Sequence, residues 1–219
     1  MEEITVKISQ EGIHVEMDDE GKVIHKGLGY ESLVDALVCD KIFDSGILPI
    51  FGKNYIGVKQ FIEHGDTTIL LLESSASLRN VEYVSSDRVL IKDVPYPGLI
   101  MGVICRKEES KYKIIDTKIY ATRNPIFSEH DSLYRFPFGN VYTNGSICWG
   151  GVGLSKIRSI KQACNLLNLF ISSAMNNDLT SGNLKNKLEN LRDSGEFNYD
   201  TLTKVMTYKE LISLLMNKK

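Results

Sequence analysis

From Tyr55 to Arg123 the sequence alternates apolar runs with short polar breaks, and that rhythm leaves room for little besides an antiparallel sheet. The runs Ile56–Glu63, Thr68–Glu73, Asn80–Val84, Leu99–Arg106 and Lys111–Thr122 have strand length. His64-Gly65-Asp66 and Lys107–Ser110 are breaks of hairpin length, so the reading is an antiparallel meander. Upstream, Ile4–Ile8 and Ile13–Met17 alternate apolar and polar residues across a Gln-Glu-Gly turn and predict a hairpin. Between Glu31 and Phe43 the apolar residues Leu33, Val34, Leu37, Val38 and Ile42 fall at helical spacing, closed by Gly46 and Pro49, and predict an amphipathic helix.

Helical spacing takes over in the last third of the chain. Ile160, Ala163, Cys164, Leu167, Phe170, Ile171 and Ala174 share one helix face, with an N-cap expected near Ser155. Leu184, Leu188 and Leu191 predict a further helix before Gly195. Thr207 and Glu210 stand in capping-box spacing ahead of Leu211, Ile212, Leu214 and Leu215. Strands first and helices last is the order of an α+β fold. The expected organisation is a hairpin and helix over 1–54, part of the same globule as the main domain over 55–179, and a C-terminal helical extension over 180–219. The apolar stripes of the extension need a partner surface, and packing on the main domain is favoured over docking to another protein because the connections around Gly182 and Gly195 are short.

Several function classes fall away. Lysine and arginine number 26 against 28 acidic residues, a net charge of -2, so there is no excess positive charge to neutralise several phosphates of a nucleic acid. The twenty uncharged residues from Phe136 to Ser155 contain Pro137 and five glycines, which excludes a membrane span. The start, MEEITVKISQ, lacks the basic and apolar regions of a secretory signal, and a cytoplasmic protein is expected. Cys39, Cys105, Cys148 and Cys164 make no C-x-x-C, and His14, His25, His64 and His130 make no ligand pair, so neither metal nor disulfide framework is expected, and no cofactor. No phosphate-binding loop is present, so any ATP-dependent activation has to come from another protein.

Chemistry concentrates in Pro137–Trp149. Asn144-Gly145 favours a tight turn with positive φ, which puts Cys148 on a turn-flanked loop. A cysteine there reads either as a packing residue, the usual state of a free cysteine, or as a nucleophile that needs no strong base, because a small thiolate fraction exists near neutral pH, and that can form a thioester. Asn140, eight residues upstream and carried back by the turn, is placed to stabilise an oxyanion at the same carbonyl. Cys39, Cys105 and Cys164 lie in apolar patterns and read as packing residues. Trp149 reads equally as a cover for the thiol or as a core anchor. Lys156, Arg158 and Lys161 read as a solvated face, and Tyr134 and Arg135 as residues ordering the loop from behind.

The segment Asn140–Cys148, N-x-x-x-N-G-S-I-C, resembles the active-site segment of ubiquitin-conjugating enzymes, where a His-Pro-Asn triplet precedes an N-G-x-I-C loop at the same separation. The flanks Asp131–Phe138 and Phe170–Leu179, with Met175-Asn176-Asn177-Asp178, resemble more closely the bacterial relatives of that family, the prokaryotic conjugating-enzyme-like family D of the type called protein B in PRTRC systems. The likeness runs from about Pro95 to Leu179. Phe138 and Gly139 stand where the triplet has histidine and proline.

The resemblance implies a ubiquitin-conjugating-enzyme-like domain over 55–179, with a β-meander, an active-site loop and following helices. It implies a transferase that takes a ubiquitin-like β-grasp protein from a ThiF-like activating enzyme, carries it as a thioester on Cys148 with Asn140 assisting, and passes it to an amine acceptor. The alternative is an inactive module of the same fold that binds the ubiquitin-like protein or the activating enzyme. A third reading is an unrelated cysteine hydrolase using one of the four histidines as base.

Overall fold

The computed structural model describes residues 4–9, 12–19, 22–28, 42–50, 54–151, 154, 157–180 and 182–218, the first three of these ranges as strands and their pairing. The chain divides into two units, residues 1–42 and 43–219. In the first, β1 (Ile4–Ser9), β2 (Gly12–Asp19) and β3 (Lys22–Leu28) form an antiparallel sheet in that order, with Ile8 opposite Ile13 across the expected hairpin. The third strand was not anticipated from the sequence. Most of the helix expected over Glu31–Phe43, and Cys39 with it, lies outside the described residues. Its last two residues, Ile42 and Phe43, belong instead to a short strand, β4 (Ile42–Asp44).

In the second unit the strands are β5 (Ile56–His64), β6 (Thr67–Ser74), β7 (Ser77–Val84), β8 (Arg88–Tyr96), β9 (Gly98–Glu108), β10 (Lys111–Thr122), β11 (Ser132–Arg135) and β12 (Lys204–Thr207). The large sheet runs β12-β11-β10-β9-β6-β5-β4, antiparallel at every pair whose register is given, while β7 and β8 form a separate two-stranded ribbon. The meander is therefore interrupted. After β6 the chain leaves the sheet as the ribbon and returns in β9, which pairs with β6 from Thr67↔Arg106 to Ser74↔Leu99.

Strands β6 and β9 read as near-continuous apolar runs because both faces of the sheet are covered. Period-two alternation sends Leu70, Leu72, Leu99, Met101, Val103 and Cys105 to one side, and Ile69, Leu71, Ile100 and Ile104 to the other, all buried. On the first side the core is closed by the ribbon and by α1 (Ile160–Ala163), α2 (Leu166–Ile171) and α3 (Leu184–Ser194). On the second it is closed by α4 (Tyr208–Met216), which buries Tyr208, Leu211 and Leu215. The capping box is present, with the Glu210 N–H donating to Thr207 Oγ1 and the Thr207 N–H to Glu210 Oε2.

One helix expected from near Ser155 is two short ones. Asn165 interrupts it, and its Oδ1 accepts from Asn168 Nδ2 at 3.1 Å, a local bond that competes with helical geometry. Ser155 lies outside the described residues, and Ser159 occupies the N-cap of α1. The second half ends at Ile171, short of Ala174.

A polar network ties β5 and β6 to the segment after β10. Lys59 Nζ lies 3.1 Å from Glu73 Oε2, with both side chains at most 1% exposed. Glu73 also accepts from Tyr55 Oη at 2.8 Å and from the Ile126 N–H at 2.6 Å. On the other side Tyr208 Oη donates to Gln60 Oε1 at 2.8 Å.

Candidate functional site

The site begins where β11 hands over to two buried rings. Phe136 and Phe138 meet at 5.5 Å, Phe136 meets Phe170 at 5.3 Å and Phe138 meets Tyr96 at 4.5 Å, so these aromatics fix the entry to the loop in the core. The next residue has to be glycine, because a Cβ at Gly139 would lie 2.6 Å from the carbonyl oxygen of Asn176. Backbone therefore crosses backbone immediately before Asn140.

From Asn140 the chain folds into a tight hairpin. Val141 bridges Ile147, the Tyr142 N–H donates to Ser146 O at 2.9 Å, and the Cys148 N–H donates to Asn140 O at 2.8 Å. The turn closes with the Gly145 N–H on Tyr142 O at 2.9 Å, and Gly145 adopts φ +82°. A turn closed by that bond and followed by a left-handed glycine is the pattern of a three-residue hairpin loop. Glycine is required twice over, since a Cβ there would also lie 2.4 Å from Tyr120 Oη.

Strand β10 holds this hairpin from one side. Ile119 N–H donates to Gly145 O at 2.9 Å and Ile147 N–H to Thr117 O at 3.2 Å. Lys118, only 2% exposed, donates from Nζ to Asn144 O and to Ser146 Oγ, each at 3.0 Å, and Tyr120 Oη donates to Asn144 O at 3.1 Å. Burial holds the Lys118 ammonium below its ordinary range, with Asp116 opposing that shift. Trp149 donates from Nε1 to Thr117 Oγ1 at 2.8 Å and sets its ring edge-on to Phe170 at 6.1 Å, so its contacts anchor the loop.

Alternation within the hairpin decides what faces outward. Val141 and Ile147 are buried at 7% each, whereas Asn140, Tyr142 and Cys148 retain solvent exposure on the opposite face. Asn140 and Cys148 line one cleft of about 510 Å³. The β7–β8 ribbon supplies one wall, with Glu82 paired to Arg88 at 2.9 Å. Residues 172–179 supply another, and there Asn176 Nδ2 donates to Asp178 Oδ2 at 2.8 Å. That wall is fastened to β7 by Met175 N–H on Glu82 O and Val84 N–H on Met175 O, both 2.8 Å.

Asn140 sits in the left-handed region at φ +64°, and its Nδ2 donates to Ala174 O at 2.7 Å. One hydrogen of the amide is thus committed to the cleft wall. Tyr142, which the sequence reading passed over, is exposed on the same outward face and lines a separate cavity with Thr143 and Lys187. Hydrogen bonding to Cys148, and its charge, hold the phenol above its ordinary range. The signal was there in the sequence: Tyr142 stands two residues from Asn140, so it shares its face in an extended segment.

The remaining expected residues sort by position. Cys105 is fully buried and its thiol is pushed up to about 12, first by burial and then by neighbouring Cys164, whose own thiol burial also raises. Neither lines the Cys148 cleft. His64 lies beside a different cavity, next to Arg106 and Leu215, and His130 is exposed beyond β10. The side chains of His14 and His25 lie outside the described residues. No histidine is among the described residues lining the cleft. Tyr134 lies under the Arg123 guanidinium, 5.0 Å from its ring centroid, and the Arg135 N–H donates to Thr203 O, so these contacts point to the edge of the sheet. Arg158 and Lys161 are exposed, and Lys156 lies outside the described residues.

Among the described residues no group of three or more histidine, cysteine or acidic side chains is placed to hold a metal, and no described helix is long and apolar enough to cross a membrane. A family model described as prokaryotic E2 family D matches residues 75–211, a span that includes the ribbon, the cleft and both C-terminal helices through Leu211. No curated protein and no solved structure matches the chain.

Proposed function

The chain belongs to prokaryotic E2 family D, and from that membership we propose that it is a ubiquitin-conjugating-enzyme-like transferase whose nucleophile is Cys148. The observation that carries this reading is the cleft in which Cys148 and Asn140 lie opposite each other across a tight hairpin, while Cys105 is buried in the core and Cys164, half-buried against it, does not line the cleft. A ThiF-like activating enzyme supplies the ubiquitin-like β-grasp protein as its own thioester. The Cys148 thiolate attacks that carbonyl carbon, the tetrahedral centre collapses, and the activating enzyme's sulfur leaves as thiolate. An acceptor amine then attacks the new thioester, the C–S bond breaks as the C–N bond forms, the amine loses a proton to water, and Cys148 is released as thiolate.

Asn140 supports both steps. Its NH₂ group has two hydrogens, and the bond to Ala174 O uses one, so the amide is already oriented and the second N–H is available to the oxyanion. A donor fixed before the reaction needs no reorganisation during it. Asp178 on the cleft wall gives an approaching ammonium a favourable potential, while the charge of Glu82 is offset by Arg88. The setting of this chemistry is the cytoplasm of a bacterium, in a PRTRC system.

The test is co-expression of the full chain with the β-grasp and ThiF-like proteins of its own genome. Expected is an adduct on Cys148 that thiol reductant removes, and a reductant-stable ester with Cys148→Ser. A stable complex with no adduct in either variant would overturn the transferase reading in favour of the inactive binding module.

A further inference from the structure

We propose that the cavity between the end of α4 and the β5–β6 turn is a binding site for a small monocarboxylate with an apolar body, its carboxylate held by Arg106. The cavity follows from register. Ile62 lies opposite Ile69 and Ile69 opposite Ile104, and the next row on the same face is His64, Thr67 and Arg106, across the same three strands. α4 covers that face, and its last turn is seated by Leu215 against Gly102, where a Cβ would come within 2.5 Å of Leu215 Cδ1. The helix stops at Met216, and the polar row meets its end. Leu215, Met216 and Lys218 enclose with that row a space of about 270 Å³.

The lining divides by chemistry. Ile62, Ile69, Leu215 and Met216 offer apolar surface, and Arg106 with His64 and Thr67 forms a polar edge. An apolar space with a few convergent polar groups is the usual form of a small-molecule site. Arg106 Nε is buried and has no hydrogen-bond partner among the described residues, a cost that an entering acceptor would relieve. Its ion pair with Asp66 Oδ2 spans 3.7 Å, longer than a hydrogen bond, and joins side chains 39% and 61% exposed. Asp66 is engaged besides, accepting from Thr67 Oγ1 at 2.9 Å. The Lys218 ammonium is spent on Asp116, so it closes the cavity as a wall and not as the ligand's counter-charge.

These groups select the ligand. The planar guanidinium fork meets a carboxylate with two parallel bonds. Inorganic phosphate fits the same fork, but its remaining charged oxygens would lie against the isoleucines and Met216, where burial without partners is costly. Asp66 borders the same space, so a second negative charge on the ligand is repelled. One carboxylate on a short hydrocarbon satisfies all three conditions. The cavity shares no lining residue with the Cys148 cleft, so the proposal stands apart from the transferase reading.

The experiment titrates the ¹⁵N-labelled full chain with sodium hexanoate at constant ionic strength and follows the backbone amide shifts. Expected are saturable shifts centred on Thr67, Arg106 and Met216, with affinity falling about fourfold for each methylene removed on the way to butyrate. Hexanamide, which keeps the body and lacks the charge, should bind about tenfold more weakly or worse, the worth of a hydrogen bond to a charged group. Adipate and inorganic phosphate should also bind more weakly than hexanoate. Arg106→Gln should lose about tenfold or more in hexanoate affinity at an unchanged melting temperature. If that variant folds poorly, the comparison of hexanoate with hexanamide on the unaltered chain decides the role of the charge. Shifts that do not saturate, shifts centred away from the cavity, hexanamide binding as well as hexanoate, or phosphate binding as tightly as hexanoate would each overturn the proposal.

Discussion

Asn140 has one observed contact and one proposed role, and substitution separates them. Removing its amide leaves Ala174 O without its partner, and a buried or half-buried acceptor so stranded costs about 1–3 kcal/mol. It also removes the proposed oxyanion donor, a loss on the order of 10²-fold or more in rate. In Asn140→Ala, loading of Cys148 should persist while single-turnover discharge to an amine slows by that factor, with a small fall in melting temperature. A variant equally destabilised yet discharging at the wild-type rate would reduce Asn140 to a structural latch. The proposed choice of Cys148 over Cys105 is supported by the burial of the latter. Burial raises Cys105, so its neutral form is favoured by the fold. The stability this contributes is whole below the unfolded value near 9 and fades as pH climbs toward 12, which leaves almost no thiolate there at neutral pH. That Cys148 and Asn140 come together was legible in the sequence, because a turn with a required glycine sets their separation. The Glu82–Arg88 wall was not, because contact between the ribbon and the loop is not encoded by spacing.

The strands show where local pattern suffices and where tertiary contacts override it. β6 and β9 carry uninterrupted apolar runs, and their ends match expectation to within two residues. β8 escaped notice because its alternation loses phase. Asp93 takes φ +57°, its N–H donates to Asn80 Oδ1 at 3.1 Å, and the register with β7 slips between Arg79 and Val81. β11 and β12 are four residues each, too short to announce a period, and they exist because they pair with each other and β10. Burial of Lys59 was likewise invisible, since a lysine in a strand reads as solvent-facing. Its Nζ has Glu73 at 3.1 Å and the Phe127 ring centroid at 5.1 Å. Lys59→Met should lower stability by about 3–5 kcal/mol in urea unfolding, because Glu73 is left as a buried charge with no counter-charge. Adding Glu73→Gln should recover part of the loss, and a double variant no better than the single would show that the pair is not coupled.

Across the whole molecule, the C-terminal extension packs on the domain, and it does so on both sides of the sheet. α3 buries Leu184 and Leu188 in the core shared with the ribbon, β12 adds an edge strand beside β11, and α4 covers the opposite face. The apolar stripes were readable from helical spacing, but which face each helix would take was not, because the crossing depends on a strand too short to foresee. A chain ending at Leu179 loses all three elements and bares Ile100, Ile104 and Leu71 on one side. It should melt many degrees lower and aggregate, as followed by circular dichroism and light scattering. An unchanged melt with lost acceptance of the ubiquitin-like protein would make the extension a docking element instead.

The wrapping of the sheet edge by the extension also orders events in time. During synthesis β9 and β10 leave the ribosome early, yet one face of β9 has no cover until Leu211 and Leu215 emerge, about a hundred residues later. At roughly 5–20 residues per second that is a delay of several seconds or more. The chain ending at Leu179 is a standing copy of that unfinished molecule, and its expected instability means that Cys148, though already made, is not yet held in a formed cleft. On the proposed reading, charging with a ubiquitin-like protein then waits until α4 has covered β9, so assembly of the sheet sets when the Cys148 cleft can work.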